Sequence, residues 1–175
     1  MTTRQIFLFI ALICAATARP IEKLVGRKKL EDQLRDGHSI DVVGMVAEDA
    51  KRFDIILSSD EDEKPLVLEF KLDEKKVLLK SFFGGGWDFP EHRRSPVRAG
   101  DEFKIEIYVG NNEFLVMVND FWKATYSNRV DFANIVHVAV TGDAVIEKIE
   151  HYQGESGESG EENQEEQEEG STEDE

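Results

Sequence analysis

Leu66-Val67-Leu68-Glu69-Phe70 and Phe103-Lys104-Ile105-Glu106-Ile107 each place an apolar side chain at every second position. A period of two is that of an extended strand with one face toward a core and the other toward water. Arg52-Phe53-Asp54-Ile55-Ile56-Leu57 has the same character. Around these runs the pattern predicts further strands at 39–46, 76–83, 113–118, 121–127, 135–141 and 144–151, nine or ten short strands in all. Gly84-Gly85-Gly86, Gly110-Asn111-Asn112, Asn119-Asp120 and Gly142-Asp143 separate them as turns. Parallel strands need crossover segments, and the spacing leaves no room for them, so an all-β, antiparallel sandwich is expected.

The flanks differ from this centre. Arg4 precedes the apolar run 6–14 and the small residues Ala15-Ala16-Thr17-Ala18, the layout of a signal peptide over 1–18. The run is far shorter than the roughly 20 apolar residues of a membrane anchor, so no membrane insertion is expected, and the compartment is secreted, extracellular. Cleavage after Ala18 would remove Cys14, the only cysteine, leaving stability to a hydrophobic core without disulfides. Residues 19–37 read as an N-terminal linker in which Leu24, Leu30 and Leu34 permit a short helix. Gly26-Arg27-Lys28-Lys29 within it is a solvated basic stretch or a dibasic processing site. Residues 153–175 form a low-complexity acidic tail, expected to be disordered because it offers nothing apolar to bury.

The formal charge of −16 is concentrated there: Gly154 to Glu175 holds eleven acidic residues and no basic one. Arg19 to Gln153 carries 20 basic and 26 acidic residues, a balance that argues against nucleic acid as partner. His38, His92, His137 and His151 show no clustered ligand spacing, so no metal is expected. Asp60-Glu61-Asp62-Glu63 has oxygen-rich chemistry without the spacing of a calcium loop and reads as solvated. Glu102 and Glu106 stand on a strand as the carboxylates of some jelly-roll glycosidases do, without the intervening pattern. Phosphate loops and nucleophile elbows are missing, so no cofactor and no enzymatic activity are expected.

Read together, Arg52 to Leu57, Leu66 to Phe70, Lys80-Ser81-Phe82, Gly86-Trp87, Gly100 to Ile105, Phe114 to Asn119 and Gly142-Asp143 resemble the galectin domain over 38–152. The resemblance implies a jelly-roll sandwich of the galectin or concanavalin-like kind, with a carbohydrate groove on its concave face and extracellular glycans or glycoproteins as partners. Two copies could pair through sheet edges. Galectins hold galactose with a histidine, an asparagine and an arginine spaced two apart on one strand, an asparagine on the next, a stacking tryptophan, and a following glutamate and arginine. Here Glu69, Lys71 and Asp73 stand at the first three positions, Lys80 at the fourth, and Trp87 at the tryptophan. Glu91 and Arg93 match the last pair after a shift of one residue, since the family spacing falls on Pro90 and His92. The loop from Asp73 to Lys80 is short.

Sugar hydroxyls are matched by groups that both donate and accept, whereas Lys only donates and ionised Glu or Asp only accepts. The substitutions therefore argue against ordinary galactoside binding. Lys71, Lys80, His92, Arg93 and Arg94 would form a cationic patch suited to anionic glycans if they share a face with Trp87. Alternatively, Lys71 pairs with Glu69 or Asp73 and Trp87 is a partly buried sheet residue.

In the tail, Ser156-Gly157 and Ser159-Gly160 lie among Glu155, Glu158, Glu161 and Glu162. This resembles the glycosaminoglycan attachment sites of proteoglycan core proteins, with Ser156 and Ser159 as the acceptors. The alternative for the tail is a plain acidic solubiliser whose serines stay bare or are phosphorylated; the alternative to a glycan-binding module for the whole chain is an extracellular chondroitin or heparan proteoglycan core in which the domain is structural.

Overall fold

The computed structural model describes residues 23–60, 62–110 and 112–154. The expected leader, residues 155–175 of the acidic tail and both candidate attachment serines lie outside them.

Twelve strands form among the described residues: β1 (Leu24–Lys29), β2 (Ser39–Val46), β3 (Arg52–Ser58), β4 (Lys64–Lys71), β5 (Lys76–Phe83), β6 (Gly86–Trp87), β7 (Glu91–Arg94), β8 (Glu102–Gly110), β9 (Glu113–Val118), β10 (Trp122–Ser127), β11 (His137–Gly142) and β12 (Ala144–Tyr152). One turn of 3-10 helix, Phe132–Asn134, is the only helical element among them, and no described helix is long and apolar enough to cross a membrane. The strands make two antiparallel sheets. A seven-stranded sheet runs β1-β11-β3-β4-β5-β6 with β7 also paired to β5, and a five-stranded sheet runs β10-β9-β8-β2-β12.

The period-two runs bury as expected. Phe53, Ile55 and Leu57 of β3, Leu66, Leu68 and Phe70 of β4, and Val77 and Leu79 of β5 face Ile40, Val42, Phe103, Ile105, Ile107, Phe114 and Val116 of the other sheet. Phe53 stacks on Phe70 at 4.5 Å and on Phe103 at 5.2 Å, carrying an aromatic column from one sheet to the other. One buried polar contact also crosses the core, between the Ser81 hydroxyl and the Tyr126 hydroxyl at 2.9 Å; the Ser81 hydroxyl also lies 2.8 Å from the Pro65 carbonyl, to which it donates.

Two glycine positions decide local geometry. Gly84 and Gly85, at φ 57° and 78°, close the β5–β6 hairpin with both central residues left-handed, a two-residue turn that matches strand twist. Gly142, at φ 95°, lies where the chain passes from one sheet to the other; a Cβ there would stand 2.5 Å from the Arg52 carbonyl oxygen.

The structure departs from the sequence reading at 19–37. Residues 24–29 are not linker: β1 pairs with β11 at the sheet edge, and Leu30 and Leu34 are buried in the core. Its basic residues sit on an edge strand, where one face is solvated and charge is tolerated, so the apolar alternation is absent. β7, Glu91-His92-Arg93-Arg94, has no alternation for the same reason, and β6 is only two residues long.

Candidate functional site

The residues singled out by the resemblance fall on β4, β5, β6 and β7, and the strand register decides which share a face. Paired residues of adjacent strands point to the same side. Phe53, Phe70 and Val77 point into the core, so their neighbours Arg52, Lys71 and Lys76 point out. One cross-strand row reads Arg52↔Lys71↔Lys76↔Arg94. The next reads Asp54↔Glu69↔Leu78↔His92, and Lys80 lies beyond it on β5. Trp87 pairs with Phe82 and so joins the outer face.

Trp87 is 47% exposed, with Phe82 meeting its ring edge-on at 5.2 Å. The Lys80 ammonium sits 4.2 Å from the Trp87 ring centroid, and a pyranose stacking on that side must displace it. Glu69 holds Lys80 there through a 2.5 Å contact to Oε2, while its Oε1 lies 3.2 Å from Arg52 Nε. Arg52 in turn grips Asp54 with Nε at 3.0 Å and Nη2 at 2.6 Å. Glu69 and Asp54 are nearly completely buried. Two desolvated carboxylates thus form the floor, and Arg52 and Lys80 neutralise them from above. The floor carboxylates accept and the cations that cover them donate.

Lys71 does not pair with Glu69 or Asp73. It lies 3.5 Å from Glu74, which also contacts Lys76 at 3.1 Å, and hydrogen bonding to Lys76 holds the Glu74 carboxyl below its ordinary range. Asp73 is exposed in the β4–β5 turn, where its side chain accepts from the Glu74 amide at 2.9 Å. It stands apart from Trp87.

Glu91 and Arg93 are not brought to this face either. They pair with Leu79 and Val77, whose side chains point into the core, and so lie on the opposite side of β7. There Arg93 Nη2 contacts Glu91 at 2.8 Å, and Arg129 from the β10–β11 connection reaches Glu91 at 3.2 Å and also binds Asp88. The Arg129 guanidinium holds the Asp88 carboxyl below its usual range. The one-residue shift needed to align Glu91 and Arg93 is what turns them away, since in a strand each step reverses the face. His92 and Arg94 occupy the outer side instead, both exposed, and Arg93 leaves the cationic patch.

Sequence reasoning missed Arg52 and Asp54. Their signal was present, two charges at alternate positions of an otherwise apolar strand, but nothing in β3 alone shows that Glu69 and Lys80 lie beside them. Among the described residues no group of three or more His, Cys, Asp or Glu side chains could hold a metal ion.

Residues 26–151 match the family described as galactoside-binding lectin. The chain is 28% identical over 134 residues to the 32 kDa beta-galactoside-binding lectin of Caenorhabditis elegans, an alignment covering 74% of this chain and 48% of that protein. It thus spans about half the length of that relative and of the corresponding Haemonchus contortus lectin. Identity to Galectin-1 of Sus scrofa is 30% over 122 residues, covering 65% of this chain and 88% of that one. The fold superposes on Caenorhabditis elegans galectin LEC-6 with a TM-score of 0.69 at 18% identity, covering 73% of this chain and 90% of that chain. With two antiparallel sheets in this order and a profile match across nearly all of them, the chain belongs to the galectin family.

Proposed function

We propose that this protein is a secreted, non-enzymatic carbohydrate-binding module whose outer seven-stranded face takes anionic glycans in preference to neutral galactosides. The observation that carries this reading is the row Arg52, Lys71, Lys76 and Arg94 on the same face as Trp87. Four adjacent strands spaced about 4.8 Å apart set these cations along roughly 14 Å, the scale of a short oligosaccharide bearing several sulfates or carboxylates. Secretion is supported by the leader pattern at 1–18.

A glycan array run with the intact protein tests it. Sulfated glycans should bind and neutral lactosamine should not; strong lactosamine binding abolished by Trp87→Ala would overturn the preference. For assembly we propose a homodimer through sheet edges, supported by the likeness to CG-16, a homodimeric agglutinin from chicken liver, at TM-score 0.65 and 24% identity. Sedimentation of the intact chain checks it.

A second reading rests on the tail. Ser156 or Ser159 carries a xylose-linked glycosaminoglycan, and the chain then also serves as an extracellular proteoglycan core. Two Ser-Gly pairs in an acidic run support it. Chondroitinase or heparinase should sharpen and shift the secreted band, and Ser156→Ala with Ser159→Ala should abolish the effect.

A further inference from the structure

Beyond the Trp87 face, at the end of the sandwich where β7 leaves the seven-stranded sheet, lies a separate cleft of about 580 Å³. The β4–β5 turn, the segment 95–101 and the β9–β10 turn converge on it, bringing Lys75, Arg94, Arg98, Phe121 and Trp122 to its walls. Backbone bonds fix its shape. The Ser95 amide donates to the Lys75 carbonyl at 3.0 Å, and the Ser95 hydroxyl donates to the Val97 carbonyl at 2.8 Å. The Arg98 amide donates to the Asp101 carboxylate at 2.7 Å.

Two properties of the cleft call for a ligand. The cleft gathers three cations, Lys75, Arg94 and Arg98, none of which lies within 4 Å of a carboxylate among the described residues. Beside these cations Phe121 is 70% exposed on the lip, and Trp122 is half-buried against the core with part of its surface on the cleft wall. Unpaired cations next to aromatic faces suit a ring that carries anionic groups. Arg94 also ends the four-cation row, so cleft and row are continuous.

We propose that this cleft is a second carbohydrate subsite, which takes a sulfated sugar ring of a chain whose neighbouring residues lie along the Arg52–Arg94 row. The proposal rests on the anionic-glycan reading above and extends it to a site outside the Trp87 groove. A sulfated polysaccharide is favoured over an acidic peptide because its charges recur on rings, matching aromatic surface and cations alternately, while an aspartate or glutamate side chain brings no ring.

The chain contains two tryptophans, one at each site. In full-length Trp87→Phe the emission of Trp122 reports the cleft; in Trp122→Phe that of Trp87 reports the groove. The probes are a size-defined heparin hexasaccharide, lactose, and a peptide with the sequence of residues 155–175. The hexasaccharide should saturably shift Trp122 emission, and lactose should not. Lys75→Asn with Arg98→Ala, both outside the groove, should weaken that response about tenfold or more, and Phe121→Ala should weaken it severalfold with unchanged Tm. If the hexasaccharide moves Trp87 but not Trp122, the anionic reading stands and the second subsite is wrong. If it moves neither, both are wrong. A response of Trp122 to the acidic peptide alone would make the cleft a peptide site and also overturn the proposal.

Discussion

The two sheets carry charge rows of opposite sign on their outer faces. On the seven-stranded sheet the row is Arg52, Lys71, Lys76 and Arg94; on the five-stranded sheet it is Glu150, Asp41 and Glu106. The acid row is answered from within its own sheet. Lys104 lies 2.8 Å from Glu106 and 3.8 Å from Asp41, and Lys148 lies 2.7 Å from Glu150. Burial, with Glu106 and Glu150 nearby, still raises the Asp41 carboxyl above its ordinary value, although Lys104 opposes this. The cation row is answered only in part: Glu74 serves both Lys71 and Lys76, Asp54 and Glu69 serve Arg52, and Arg94 contacts no acid among the described residues. The acid row is thus matched within its own sheet, whereas the cation row ends on Arg94 with no acid partner among the described residues, on the face that also carries the half-exposed Trp87.

The sharpest way to break this contrast is to remove one acid from each face. Glu69→Ala leaves Arg52 and Lys80 without their shared buried partner and should cost about 2 kcal/mol, with Tm falling by roughly 5–10 °C. The same change should raise affinity for a heparin hexasaccharide, because Lys80 loses its carboxylate partner while Arg52 stays on Asp54. Glu150→Ala, on an exposed pair of the other sheet, should leave Tm and sugar affinity unchanged. Equal thermal shifts in differential scanning calorimetry would mean that the Glu69 network is no more structural than a surface pair.

A smaller effect should come from the tail. Eleven carboxylates on a segment joined to the domain repel an approaching anionic glycan or compete with it for the cation row. Truncation after Gln153 should leave Tm nearly unchanged and raise hexasaccharide affinity severalfold at low ionic strength. The difference should vanish toward 0.5 M salt, where the screening length is about 4 Å. An affinity gain that survives high salt would point to a steric rather than an electrostatic role.

Much of this was legible in the sequence, because a period of two reports which side of each strand is buried. Ser39–Val46, Lys76–Phe83 and Glu113–Val118 begin and end where the alternation does. β1 and β7 were hidden because edge strands need no apolar face, and Leu24, Leu30 and Leu34 mimic a helical spacing while Leu30 and Leu34 enter the core of a sandwich. At the site, Trp87, Glu69 and Lys80 were legible and do meet; Glu91 and Arg93 were misread because aligning them by one residue reverses the face. Pairing across strands was the part no run of residues could show. Arg52 reaches Glu69 across 17 positions, and His38 reaches His151 across 113.

That histidine pair supports the smallest prediction, one that should separate the faces by pH. His38 Nδ1 and His151 Nε2 lie 3.0 Å apart where β12 meets the start of β2. Burial, then the His38 and Lys28 charges, hold the His151 imidazole below its ordinary 6.5, while Asp32 and Glu31 act weakly the other way. The unfolded chain therefore binds a proton at a pH where the folded chain does not. Stability is greatest above about 6.5, falls as the pH drops through the window between the two values, and levels off once both states are protonated. The acids whose carboxyls are depressed, Glu74, Asp88, Glu106 and Glu150, lose their contribution only at lower pH. Between pH 7 and 5.5, then, Tm should fall by a few degrees in the native chain and stay nearly flat in His151→Gln. On the other face His92 lies beside the row from Arg52 to Arg94, so hexasaccharide affinity measured on His92→Gln with His151→Gln should change little over the same interval. A Tm that rises on acidification in the native chain would reverse the sign and show that the pair is stabilised by protonation.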